Sequence, residues 1–256
     1  MTPRARLVAA VSTLAPIAVV LATWEAATRA GVVSTQMLPT FSSVGTAAGD
    51  LVVSGVLGHH LLVSLYRALG GLALSIVVGV ILGFAMATRP HVESFFDPLV
   101  SLLYPLPKTA LVPLTMVWLG ITNQAAILVV FLAGLLPVVV NTYHGVKRVE
   151  RVLIWSARSL GTPSRRLFAR VVIPASLPYI WNGLRIALPI SFIVVISVEL
   201  VASKVGVGNL INGYGALGVY DYMFATILVF AAVAFVCDRG AVSVGRRLLR
   251  WHAEAQ

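Results

Sequence analysis

Apolar residues gather along this chain into six long stretches, about 7–28, 61–88, 94–118, 122–143, 179–202 and 222–240. Each is close to the roughly 20 residues a helix needs to cross a bilayer. The second and sixth are clear apolar runs. The third is broken by Pro105, Pro107 and Pro113, and the fifth carries Pro189 and Glu199. Within the second, Gly71, Ser75, Gly79, Gly83 and Ala87 recur at every fourth position. On a helix they form a smooth ridge that another backbone can approach closely. The pattern predicts an all-α, polytopic membrane protein with six transmembrane helices, a single domain over residues 1–256, and no internal repeat or linker.

Between the fourth and fifth stretches the pattern changes to a basic helical hairpin, Lys147 to Pro178. Val149, Val152, Leu153, Ser156 and Leu160 follow helical spacing. Gly161 stands where a helix ends in the left-handed conformation, and Thr162 and Pro163 read as N-cap and first residue of a second helix. That helix presents Leu167, Phe168, Val171 and Val172 before Pro174 and Pro178 stop it. Seven bases (Lys147, Arg148, Arg151, Arg158, Arg165, Arg166, Arg170) face one acid, Glu150. Such a pair either rests on anionic lipid or docks on a partner.

Composition places the chain in the membrane: 59% of residues are hydrophobic and 11% charged, against about 45–50% and about 25% in soluble proteins. With the N-terminus inside, the cytoplasmic segments hold fourteen of the nineteen Lys and Arg residues, and the external segments only Arg29 and Lys204. Both termini are therefore expected to be cytoplasmic. The net charge of +10 then reports topology, and nucleic-acid binding is not needed to explain it. Arg4, Arg6 and the following apolar run resemble a secretory leader, but the run is long for one and is expected to stay as the first span. The single cysteine, Cys237, excludes an internal disulfide and a thiolate metal cluster.

Candidate chemistry is sparse. Gly213-Tyr214-Gly215-Ala216-Leu217-Gly218 has the spacing of a dinucleotide fingerprint but lacks a βαβ context, so a tight external turn is the expectation. No phosphate loop is present, and no H-E-x-x-H or carboxylate cluster accompanies His59, His60 or His144, so no metal site is expected. Charges at membrane depth are costly and face a cavity or a partner. Arg67 and Glu199 either pair with each other or line a path. Lys108, beside Pro105 and Pro107 in the broken stretch, either snorkels or lines the same path.

At the hairpin the sequence resembles the membrane subunits of bacterial ABC importers. Their cytoplasmic loop carries Glu-Ala-Ala, a glycine four residues after the second alanine, and later a hydrophobic residue, a spacer and Leu-Pro. Ser156 and Ala157 fall on the alanines, Gly161 on the glycine, Val171 on the hydrophobic residue and Ile173-Pro174 on Leu-Pro, while Trp155 replaces the glutamate. Leu38-Pro39-Thr40, Ser64-Leu65-Tyr66-Arg67, Pro105-Leu106-Pro107-Lys108, Asn182-Gly183-Leu184-Arg185 and Gly206-Val207-Gly208-Asn209-Leu210-Ile211 look closest to the nitrate/sulfonate/taurine branch. The resemblance implies a type I permease with a coupling loop at about 144–178, whose helix seats on an ATPase through Arg151, Trp155, Ser156, Ala157, Arg158, Leu160, Gly161 and Pro174. It also implies a homodimer, two ATPase subunits carrying ATP and Mg, no cofactor on this chain, and a periplasmic or lipid-anchored solute-binding protein. The path is expected to include Arg67, Pro105, Pro107, Lys108 and Glu199, for a sulfonate, taurine, nitrate or similar small anion. The alternative is an ion-gradient-driven carrier or channel, for which Glu199 is the one strong ion-site candidate.

Overall fold

The computed structural model describes residues 3–251, with side chains from residue 15 onward, and the described residues form helices and no strands. In chain order they are α1 (Pro3–Arg29), α2 (Phe41–Val53), α3 (Val56–Thr88), α4 (Pro90–Leu103), a 3-10 turn (Lys108–Leu111), α5 (Val112–Leu119), α6 (Asn123–Lys147), α7 (Arg151–Ser159), α8 (Ser164–Leu167), a π-helical turn (Phe168–Val172), α9 (Ile173–Ala202), α10 (Val207–Ala216) and α11 (Tyr220–Leu248). Four rods among the described residues are long and apolar enough to cross a membrane: α3, α6, the continuous run Ser164–Ala202, and α11. The pair α4 and α5, bent by 94°, makes a fifth. The first expected span falls in α1; the side chains of Arg4, Arg6 and the rest of residues 1–14 lie outside the described residues.

The small-residue ridge of α3 packs along α6. A Cβ built on Gly71 would sit 2.5 Å from Val130 Cγ1, one on Gly79 2.8 Å from Val138 Cγ1, and one on Gly83 2.6 Å from Thr142 Cβ. Ser75 closes the row by donating to Phe131 O at 2.8 Å. The numbers rise together, so α3 and α6 run parallel. Against α9 they fall as α6 rises: Gly145 meets Tyr179, and Gly183 meets Asn141 and Pro137, so that pair is antiparallel.

Two parallel neighbours cannot be joined on one side of a membrane. The chain from Thr88 to Asn123 must return across the bundle, and α4, its bend and α5 are that return. Pro105 and Pro107 lie in the break, and Pro113 opens α5, where a missing N–H costs nothing. Lys108 Nζ donates to the carbonyls of Leu103 and Tyr104, oxygens that the end of α4 leaves without helical partners.

The core lies where α3, α6 and α9 meet, around Leu72, Val129, Val130, Ala187, Val195 and Phe230 of α11. A smaller cluster, Val44, Ala47, Leu51, Leu57 and Ala225, joins α2 to α3 and α11. Thr40 caps α2, accepting from Ser43 N.

Three local expectations are corrected. Pro174 and Pro178 do not stop a helix: the π turn passes directly into α9, whose second residue is Pro174. Pro174 stands at the handover from the π turn to α9, in the helix's first turn where a missing N–H is tolerated, and Pro178 lies inside α9. The second hairpin helix starts one residue later than expected, with Pro163 as its N-cap, extended at ψ 149°. Finally, Gly213 and Gly215 lie inside α10, and of that motif only Gly218 adopts positive φ.

Candidate functional site

At the end of the bundle where α6 begins, an ion pair ties four segments together. Arg67 on α3 and Glu199 on α9 are 7% and 1% exposed, with Arg67 Nη1 2.8 Å from Glu199 Oε1. Ser64, one turn before Arg67 on the same face, donates to Glu199 Oε2 at 2.7 Å, and Gly208 N–H donates to the same oxygen at 3.0 Å, opposite the one that Arg67 holds. Arg67 also donates through Nη1 to Ser203 Oγ and Val205 O, and through Nε to Asn123 Oδ1 at the first residue of α6. Val207 N–H returns to Ser64 Oγ at 2.8 Å. A buried carboxylate and guanidinium are therefore both paired and hydrogen-bonded, the condition under which buried charge is tolerated.

The loop 203–206 and the start of α10 close over the acid because Gly206 and Gly208 lack side chains. A Cβ on Gly206 would lie 2.3 Å from Glu199 Cδ, and one on Gly208 2.6 Å from Glu199 Cβ. Gly206 also has φ +135°, a conformation L side chains rarely adopt. His60, one turn before Ser64, accepts from Gly206 N–H at 3.0 Å.

The expected path residues are thus not one cluster. Arg67 and Glu199 meet in this latch. Lys108 stands apart at the bend of the broken span, beside a cavity of about 280 Å³ lined by Tyr104, Ala133, Pro137 and Val194. Pro105 and Pro107 are exposed in the break. Sequence reading missed Ser203 and Val205 as latch members, as well as the way Gly206 and Gly208 wrap the acid. The available signal was two glycines a residue apart, shortly after a lone intramembrane acid.

At the opposite end, α6 runs into the hairpin. Val149 and Leu167 are buried, and Phe168 packs edge-on against Phe84 of α3 at 5.3 Å. These contacts anchor the hairpin while α7 projects. Arg151, Val152, Leu153, Trp155, Ser156 and Arg158 of α7 are exposed, as is Leu160 just after it at 85%; Ala157 is half-buried. Gly161 ends the projection at φ +74°, with open space where a Cβ would be. Just inside this end, Glu93 of α4 accepts from Lys147 Nζ at 2.8 Å and from Tyr143 Oη, both on α6. Among the described residues no group of three His, Cys, Asp or Glu could hold a metal ion.

Parallel and antiparallel rods, a proline-broken return and a projecting helix between the last core pair define a polytopic permease. Residues 75–250 match the family of binding-protein-dependent transport system inner membrane components, and the chain belongs to that family. It is 33% identical over 245 residues to the taurine transport system permease protein TauC of Escherichia coli (strain K12), covering 94% of this chain and 89% of TauC. Identity is also 33% to the putative aliphatic sulfonates transport permease protein SsuC of Bacillus subtilis (strain 168), over 91% of this chain and 85% of that protein. The fold is shared with a chain of an inward-facing MetNI methionine ABC transporter at a TM-score of 0.65 and 17% identity, covering 77% of this chain and 97% of that one. The protein is therefore a type I ABC importer permease, a non-catalytic membrane component whose family implies ATP-binding subunits and a binding protein as partners.

Proposed function

We propose that this chain forms the translocation path of an ATP-driven importer for a small sulfonate, taurine or a similar small oxyanion, and that it acts as a homodimer. The observation that carries the reading is the projecting helix α7. A helix that leaves Val152, Trp155 and Leu160 uncovered between basic residues, yet is held by a buried base, fits a groove on an ATP-binding subunit. Arg151, Trp155, Ser156, Ala157, Arg158 and Leu160 would make that contact, Gly161 would aim it, and Pro174 would stand where the hairpin joins α9. ATP and Mg would bind on the ATPase, with no cofactor on this chain.

The second copy is supported by the broken span. Unwound backbone is tolerated at membrane depth only against protein or water, and residues 104–107 are exposed in the single chain. A partner copy or an aqueous path between copies would cover them, placing Lys108 and its cavity at the dimer axis. The distribution of Lys and Arg supports cytoplasmic termini and a cytoplasmic hairpin, with the latch outside. Glu199 has both carboxylate oxygens occupied by protein donors, which speaks against an ion-driven carrier. The sulfonate reading rests on the two sequence relatives. The test is reconstitution with the ATPase and binding-protein subunits in vesicles and uptake of labelled taurine and ethanesulfonate. ATP-dependent, vanadate-sensitive uptake is expected; uptake driven by an ion gradient without the ATPase overturns the reading.

A further inference from the structure

A cavity of about 350 Å³ opens beside the latch, between the start of α6 and the end of α9, and its largely apolar wall carries several donors on one side. Arg67 lines it from a buried position. Its Nε and Nη1 are engaged, whereas Nη2 has no hydrogen-bond partner among the described residues. Asn123 lines it too; its Oδ1 accepts from Arg67 Nε, which leaves its amide N–H₂ free to donate. Gln124 adds a second side-chain amide, and at the positive end of the 25-residue α6 the Asn123 and Gln124 N–H groups remain after Thr122 caps Ala125. Lys204 lines the rim and makes no ion pair among the described residues.

Several acceptors at this wall are already taken. Glu199 is held by Ser64, Arg67 and Gly208. Of the carbonyls just past α9, Ser203 O is held by Asn209 and Val205 O by Arg67. What the cavity offers an anion is Lys204, the open edge of the Arg67 guanidinium, two side-chain amides and the start of α6, set against the C-terminal carbonyls of α9 at Ala202. Because the Arg67 charge is already met by Glu199, it is Lys204 that tips this balance towards an anion.

We propose that this cavity is a binding site for a single oxyanion group, a sulfonate or a carboxylate, at the mouth of the path. The inference rests on the functional reading above, and the group has two sources: the free solute, or an acidic side chain of the docked binding protein.

The test uses the assembled complex in nanodiscs with ethanesulfonate as the first probe, followed by tryptophan fluorescence or calorimetry. Lys204→Gln is expected to weaken binding about tenfold, the scale of one charge-assisted hydrogen bond. Arg29→Gln, which removes a cation from the same expected face but away from the cavity, should leave binding unchanged. In the second arm, docking of the binding protein is measured against Lys204→Glu. Loss of docking, restored by an acid-to-Lys exchange on the binding protein, identifies a carboxylate as the occupant. Ethanesulfonate binding sensitive to Lys204 identifies the solute. If neither binding nor docking responds to Lys204, the site is refuted even when the wild-type complex transports sulfonates. If ethanesulfonate binds here but is not transported, the site stands and the solute reading fails.

Discussion

Removing one half of the Arg67–Glu199 pair should cost far more than its share of removing both. Glu199 is 1% exposed, so its charge cannot turn to water if Arg67 is lost, and Arg67, 7% exposed, meets solvent only through the cavity beside it. Truncating one member of a buried pair costs about 3–5 kcal/mol, because it strands the other charge. Glu199→Leu leaves Arg67 with Asn123, Ser203 and Val205 as acceptors but no counter-charge; Arg67→Leu leaves Glu199 with Ser64 and Gly208. In Arg67→Leu/Glu199→Leu no charge is stranded, and the residual penalty is the unpaired Ser64 hydroxyl and Gly208 N–H, about 1–3 kcal/mol each at most. The double variant should therefore be more stable than the sum of the singles predicts, by about 2–3 kcal/mol, a coupling within the range of contacting residues. Unfolding by SDS in bicelles, read by tryptophan fluorescence, gives the four corners of the cycle. Strict additivity would refute the latch. Transport provides a second axis. If Glu199→Gln keeps wild-type stability yet abolishes uptake, and the double variant does not restore it, the acid belongs to the path and the structural account is wrong.

The remaining predictions concern the two helix contacts and the hairpin. Gly79→Leu drives a side chain into Val138, where even a Cβ would stand 2.8 Å from Cγ1; assembly in detergent should fall, and a normally assembled variant would show that α3 and α6 are not in contact. Gly161→Val meets no neighbour but must hold φ +74°, costing about 1–2 kcal/mol; ATPase association or coupling should fail while membrane insertion persists, with unchanged ATPase stimulation as the contrary result. Glu93→Gln removes the charge that holds α4 to Lys147 and Tyr143. The tie is partly exposed and screened by solvent, so stability should barely change while ATP turnover and uptake become less tightly linked; an unchanged ratio of solute moved to ATP spent would exclude that role.

The ridge was legible in the sequence because its signal is local: every fourth residue small, on one face, in an apolar run. The broken third span was legible for the same reason, since three prolines within nine positions leave a continuous helix no route. Arg67 and Glu199 could be singled out by the cost of charge in lipid, but their pairing joins residues far apart in the chain and remained one of two alternatives. The closing of 203–208 over Glu199 was hidden because it depends on the absence of atoms, at Gly206 and Gly208. Pro174 misled because the rule that proline ends a helix considers one hydrogen-bonding period, and the π turn before it uses another; Pro178 is carried inside α9 all the same. The solute is not written in these residues at all beyond the surplus of cations.

That π turn has a consequence for how the hairpin is aimed. Successive residues on an α-helix are rotated by roughly 100° about its axis, and a π turn fits one additional residue into a single turn. Phe168–Val172 therefore acts as a phase offset between the hairpin and α9. Deleting one residue there would regularise the rod while swinging the projecting helix through about a quarter of a circle, with the membrane-spanning bundle left as it is. If α7 is the docking helix proposed above, the bearing on which it would meet an ATPase is set by one residue of chain length, a quantity that a single codon gained or lost can change.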